Sequence, residues 1–113
     1  MDDDRIPTEL WVRAHIRRSY GEGIPAVLVR KGAPMGGTVL VKINQRDLGC
    51  RVLTQVRDAQ GRAGWMAALG GGQVPEADAD AYIARTVARD PDVWVVEVED
   101  RTGRNPFEGK EIR

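Results

Sequence analysis

From Thr8 to about Tyr20 the apolar positions recur with helical spacing. At about 100° per residue, Trp11, Val12, His15, Ile16 and Ser19 fall on one face and Arg13 and Arg17 on the other. Thr8 is placed to cap this helix behind Pro7, and Gly21, Gly23 and Pro25 are placed to end it. From Ala26 to Leu69 the period shortens towards two, which predicts strands at about 26 to 30, 38 to 44, 50 to 57 and 62 to 69, joined as an antiparallel meander. Asp58-Ala59-Gln60-Gly61 suits a type I turn closed by a glycine at positive φ. Setting Arg57 opposite Arg62 across that turn puts Cys50, Val52, Thr54 and Val56 on the same face as Ala63, Trp65, Ala67 and Leu69, and Val39, Val41 and Ile43 continue it. The reverse face then carries Arg51, Gln55, Arg57 and Arg62, with Lys42 and Arg30 beside them.

After Gly70-Gly71-Gly72 the helical period returns. A second helix is predicted from about Pro75 to Arg89, with Ala79, Tyr82, Ile83, Thr86 and Val87 as its apolar stripe. Glu76, Asp78 and Asp80 near its start and Arg85 and Arg89 near its end complement the helix dipole. Asp90-Pro91-Asp92 stops it. Val93 to Glu99 is apolar on both faces except at Glu97 and Glu99, the pattern of an internal strand. The predicted fold is α+β: a mainly antiparallel five-stranded sheet, in the order helix, four-stranded meander, helix, strand, with both helices packed on one face. Residues 1–7 are expected to be an acidic flexible N-terminus, 8–100 a single domain and 101–113 a polar C-terminal tail in which Pro106 and Phe107 are the apolar residues.

The 113 residues hold one histidine (His15), one cysteine (Cys50) and one serine (Ser19). Nucleophile-and-base catalysis and transition-metal sites need several such groups converging, so no catalytic residue, metal ligand or cofactor is expected. A lone cysteine forms no internal disulfide, and no apolar stretch approaches the length of a membrane span or a signal-peptide core. A cytoplasmic protein with no membrane partner is the expectation. The formal charge is zero, but residues 5–62 hold eleven basic side chains against four acidic ones, while 63–113 hold six against ten. That asymmetry reads either as an anion-binding surface or as two halves that neutralise each other on folding.

Four local patterns invite a chemical reading. Gly70 to Gly72 precede a helix as phosphate loops do, but Pro75 removes a donor, three acids follow, and there is no Gly-Lys-Ser/Thr ending, so a flexible linker is expected. Glu97 and Glu99 share one strand face and are expected to pair with the arginines of the sheet. His15, among apolar neighbours, is expected to be a packed residue. The element order resembles the core of restriction-endonuclease-like nucleases, whose nearest motif match here is Asp47 with Gln55-Val56-Arg57. An arginine standing in place of lysine does not readily deprotonate to activate water, so that match is degenerate.

The phrases Leu10-Trp11-Val12-x-Ala14-x-Ile16-Arg17-Arg18, Val52-Leu53-Thr54-Gln55-Val56-Arg57-Asp58 and Asp90-Pro91-Asp92-Val93-Trp94-Val95-Val96-Glu97-Val98-Glu99-Asp100 agree in order and spacing with a known family. The chain resembles small bacterial proteins catalogued as a domain of unknown function, over nearly its whole length. The resemblance implies a bacterial, cytoplasmic protein and supplies no mechanism. The reading of the residues themselves is a non-catalytic binding or interaction module, its anion-binding or partner-binding residues Arg51, Gln55, Arg57 and Arg62. An acidic protein, a nucleic acid and a second copy of the chain are the partners it admits. The alternative is a nuclease-like or other metal-dependent hydrolase built on Asp47, Glu97 or Glu99.

Overall fold

The structure, a computed structural model, describes residues 6–112; the acidic residues 1–5 lie outside the described part. Its elements in chain order are α1 (Thr8–Gly21), β1 (Ala26–Arg30), β2 (Val39–Asn44), a 3-10 turn (Arg46–Leu48), β3 (Cys50–Arg57), β4 (Ala63–Ala67), α2 (Glu76–Arg89), β5 (Trp94–Glu99) and β6 (Lys110–Ile112). The class is α+β, with a six-stranded mixed sheet in the order β1-β5-β2-β3-β4-β6. β5 lies parallel to β2 and β6 parallel to β4, and the other pairs are antiparallel.

Two expectations about the sheet are corrected here. It has six strands rather than five, and the meander is three strands long (β2-β3-β4). β1 leaves the meander and pairs with β5 at the far edge, Ala26 opposite Val98 and Leu28 opposite Val96. The reason lies in β5. A strand apolar on both faces is stable only between two neighbours, and β5 obtains them by inserting between β1 and β2.

The helices lie on opposite faces, not on one. Val12 of α1 belongs to the cluster of Val39, Val41, Ile43, Leu53, Trp65, Trp94, Val96 and Val98, with Trp11 and Ile16 packed against it. Ile83 and Val87 of α2 pack instead on Leu40, Val93 and Val95, and Ala79 on Cys50 and Val52. These two sets alternate along β2, β3 and β5, as strand geometry requires of a sheet buried on both sides.

The β3–β4 hairpin explains a shifted register. Arg57 faces Ala63 and Gln55 faces Trp65, one residue away from the expected pairing of Arg57 with Arg62. Asp58 N–H donates to Arg62 O at 2.8 Å and Gly61 N–H to Asp58 O at 2.9 Å, with Gly61 at φ 80°. This is a three-residue loop, a type I turn followed by one left-handed residue, where a four-residue loop was expected. The one-residue slip turns β3 over relative to β4, so Leu53, Gln55 and Arg57 share the face of Trp65. Because both faces are covered, Val52 and Leu53 are both buried and the slip costs no apolar burial.

Beneath α2 the sheet carries one buried cation. Lys42, 5% exposed, donates through Nζ to Glu76 Oε2 and Asp80 Oδ1, each at 2.7 Å, and lies 3.6 Å from Glu97 Oε1. The acids that suited the helix dipole thus also tie the first turns of α2 to the central strand. On the other face the chain after β5 crosses towards β4. Gln45 Nε2 donates to Arg101 O at 3.0 Å, Arg18 Nη2 to Pro106 O at 3.2 Å, and Phe107, 2% exposed, enters the core beside Trp11 and Trp65. Pro106 and Phe107 are buried, and Lys110–Ile112 is a strand, so neither apolar residue of that segment is available to a partner.

Two predictions test this core. Trp65→Ala removes a fully buried ring and a hydrogen bond from Nε1 to Glu108 O, and a loss of about 3 to 5 kcal/mol in urea unfolding is expected. Lys42→Met leaves three carboxylates without their cation; as Glu76 and Asp80 are more than half exposed, the expected loss is about 1 to 3 kcal/mol. Burial opposes the charge on Lys42, but the hydrogen bonds to Asp80 and Glu76 and the charge of Glu97 outweigh it and raise its pKa. A raised lysine pKa stabilises the fold below the unfolded value and ceases to do so only as pH rises through the folded one, so the difference between wild type and Lys42→Met should persist at pH 10 and shrink above it. A difference that vanishes by pH 9 would contradict this.

Candidate functional site

The hairpin correction decides where the arginines go. By turning β3 over, it places Gln55 and Arg57 on the α1 side of the sheet, beyond the end of the helix that covers its middle. An open cleft of about 780 Å³ lies there. Its walls are Ile6, Thr8 and Trp11 at the start of α1, then Gln55, Arg57, Asp58 and Arg62 from the hairpin, and finally Glu108, Lys110 and Ile112 from the segment that reaches β6.

Three of the four predicted binding residues, Gln55, Arg57 and Arg62, therefore meet in one place. Arg57 Nη1 donates to Gly61 O at 3.1 Å, and Arg62 reaches Asp58 Oδ2 through Nε at 3.4 Å and Gln60 Oε1 through Nη2 at 3.3 Å, so both guanidinium groups keep donors free to turn outward. Lys110 joins them from a segment that the sequence marks only as polar. Arg51, the fourth, stands apart: its Nε donates to Gly71 O at 3.0 Å and its Nη2 to Glu111 Oε2 at 2.6 Å, in a smaller hollow shared with Met66 and Ile112.

The companions expected beside these arginines are elsewhere. Lys42 is under α2 on the other face, and Arg30 Nη1 donates to Pro91 O at 2.8 Å and Val93 O at 2.9 Å. Glu97 is held by Lys42 and by Asn44 Nδ2 at 3.1 Å, and Glu99 by Arg46 at 2.7 Å, so neither acid occupies the forks of Arg57 or Arg62. Asp47 pairs with Arg101 through two bonds at 3.0 and 3.2 Å, which lower its carboxyl pKa, and it does not line the cleft with Gln55 and Arg57. Among the described residues no three His, Cys, Asp or Glu side chains converge as a metal site. Burial pushes the Cys50 thiol up and away from thiolate chemistry.

His15 is packed, as its position on the helix implied. Its ring stacks on Trp11 with centroids 3.9 Å apart and planes at 27°, and Phe107 lies 5.6 Å away. Nδ1 is 2.8 Å from Trp11 O, which can only accept, so Nδ1 carries the proton. Nε2 is buried without a hydrogen-bond partner among the described residues, 3.7 Å from Glu108 Oε1. The result is an aromatic cluster of Trp11, His15, Phe107 and Trp65 behind the cleft.

Comparison with known proteins agrees with this fold. A family model described as a protein of unknown function, DUF1491, matches residues 6–108. A crystal structure of a DUF1491 family protein from Caulobacter crescentus CB15 is similar at 37% identity and a TM-score of 0.83, over 96% of this chain and 100% of that one. An NMR structure of a DUF1491 family protein from the same organism gives 37% identity and 0.79, over 96% and 97% of the two chains. A solution structure of an A. tumefaciens protein gives 26% identity and 0.72, over 85% and 86%. No curated protein matches the chain.

The turn that aims Arg57 and Arg62 hangs on one carboxylate. Asp58 Oδ1 accepts from Arg62 N–H at 2.8 Å and from Gln60 N–H at 2.9 Å, and these backbone bonds, that from Arg62 foremost, hold its carboxyl below the usual carboxylate range. A depressed carboxyl pKa contributes order above the unfolded value and loses it as pH falls through the folded one. The amide signals of Gln60 and Arg62 should therefore titrate below the normal aspartate midpoint, and Asp58→Ala should speed hydrogen exchange at both amides at neutral pH. Titration at the ordinary aspartate value, or unchanged exchange, would show that the carboxylate does not hold the loop.

Proposed function

This chain belongs to the DUF1491 family of proteins of unknown function, and we propose that it is a non-catalytic binding module whose cleft receives an acidic segment of a partner protein. One observation carries the reading: Arg57 and Arg62 of one hairpin and Lys110, distant in the chain, converge with Gln55 on a cleft backed by a cluster of aromatic rings. Arginine binds a carboxylate through two parallel bonds, and Gln55 both donates and accepts beside it.

The balance of charge favours protein over nucleic acid. A phosphate backbone is gripped through many cations and a strong positive field, and this chain has a formal net charge of zero, with Asp58 and Glu108 on the same walls. A few carboxylates on an extended or helical segment suit three cations better. The hydrolase alternative gains nothing from the geometry, since Asp47, Glu97 and Glu99 are each engaged by a cation away from the cleft.

The test is a titration of the full chain with a glutamate-rich peptide and, separately, with single-stranded RNA, at low and moderate salt. Peptide binding should weaken as salt rises, and Arg57→Glu/Arg62→Glu should reduce it at least tenfold while leaving the melting temperature nearly unchanged. Equal binding by the wild type and the double variant would remove the cleft from consideration, and tighter binding of RNA than peptide would transfer the reading to nucleic acid.

A further inference from the structure

The edge of the sheet beyond β4 is closed by three residues. β6 pairs with β4 in parallel, Lys110 opposite Gly64, Glu111 opposite Trp65 and Ile112 opposite Met66. The match to the family model ends at residue 108, two residues before this strand begins. So short a strand covers an edge that would otherwise present a row of unpaired backbone groups.

Two side chains hold β6 in place, and each has a specific receptor. A Cβ built on Gly64 would stand 2.5 Å from Ile112 Cδ1, so the missing side chain of Gly64 is the notch that admits the isoleucine. The Glu111 carboxylate lies on Arg51 Nη2 at 2.6 Å, in the hollow that Ile112 also lines. Lys110 itself is exposed and has no ion pair among the described residues. The edge therefore displays what it recognises: an acid followed by a branched aliphatic residue, in parallel register.

We propose that the β4 edge is a strand-addition site for an extended segment of another protein carrying an acid followed by a branched aliphatic residue, and that β6 is this chain's own displaceable occupant of it. Register gives the partner its advantage. Stepping back along a parallel strand from Lys110, the second residue would fall opposite Arg62, but here the pairing begins only at Lys110, and the residue two before it, Glu108, lies 3.7 Å from His15 Nε2 and makes no ion pair with Arg62. A partner that stays extended and bears acids there reaches Arg62 and Arg57. This deepens the cleft reading and rests on it for the upstream acids. The main-chain pairing, the Gly64 notch and the Arg51 fork are independent of it.

A tethered occupant competes at an effective concentration on the order of millimolar, so it must be weakened for binding to be read. The probes are two labelled peptides, DEGKEIR and the shorter GKEIR, titrated into full-length chains by fluorescence anisotropy. Glu111→Ala/Ile112→Ala should bind both probes at least tenfold tighter than wild type, and adding Gly64→Val, which fills the notch, should abolish the gain. Should Gly64→Val fail to fold, Arg51→Glu takes its place and should act in the same direction. Arg57→Glu/Arg62→Glu should weaken DEGKEIR and spare GKEIR. If it spares both, the cleft reading fails and the strand-addition site stands. Equal affinity of wild type and Glu111→Ala/Ile112→Ala for GKEIR overturns the site itself. So does a wild-type dimer in sedimentation that becomes monomeric in that variant, since β6 would then belong to exchange between copies.

Discussion

Burying β2 and β5 on both faces is the constraint from which the rest of this molecule follows. The pair is parallel, with Val39, Val41 and Ile43 on one side and Leu40 and Lys42 on the other, and no residue of either strand between Val39 and Ile43 or between Trp94 and Val96 is exposed. Two helices must then be divided between two faces, one to each. α2 covers its side with help from the Lys42 clamp. α1 covers only the middle of the other side, and the segment after β5 supplies the missing cover by inserting Phe107 between α1 and Trp65. The cleft is what remains uncovered once that segment has turned inward.

The same division explains why charge and ligand chemistry sort as they do. The cation placed under a helix needs acids from that helix, and Glu76 and Asp80 provide them, so the carboxylates near the sheet are consumed in holding α2. On the α1 side the hairpin lies past the helix and its arginines have no helix acids to meet. Arg62 meets Asp58 and the Gln60 amide oxygen within its own loop, and Arg57 a carbonyl of the same turn. The uneven charge along the chain has become a buried ion-pair cluster around Lys42 under α2 and, at the hairpin beyond α1, guanidinium groups that keep donors free. Surface pairs such as Arg62 with Asp58 contribute little to stability, which leaves those groups free to serve a partner.

Much of the local structure was legible before folding. Every helix and strand from Thr8 to Glu99 was placed within a few residues by periodicity, and the internal character of β5 followed from its two apolar faces. The burial of His15 followed from its neighbours on α1. The candidate site was half legible. Gln55, Arg57 and Arg62 share it because alternation along β3 and proximity across a hairpin are local facts, whereas alternation alone groups Arg51 with them and Glu111, sixty residues distant in the chain, draws it away. Lys110, Trp11 and Ile112 carried no local signal of meeting there.

What the sequence determined by itself was therefore the identity of the elements, the apolar stripe of each helix and the left-handed glycine in the hairpin, because each depends on interactions within a few residues. Three matters were decided only by the tertiary structure. Loop length at Asp58 to Arg62 set which face of β3 joins Trp65, a difference of one residue that local turn preference does not resolve. The place of β5 between β1 and β2 put the helices on opposite faces, since a strand apolar on both sides must find neighbours that the chain order does not name. And the path of residues 100–112 across the sheet was governed by the gap beside α1 that Phe107 fills and by the notch at Gly64 that Ile112 enters, cavities that exist only after the other elements have packed.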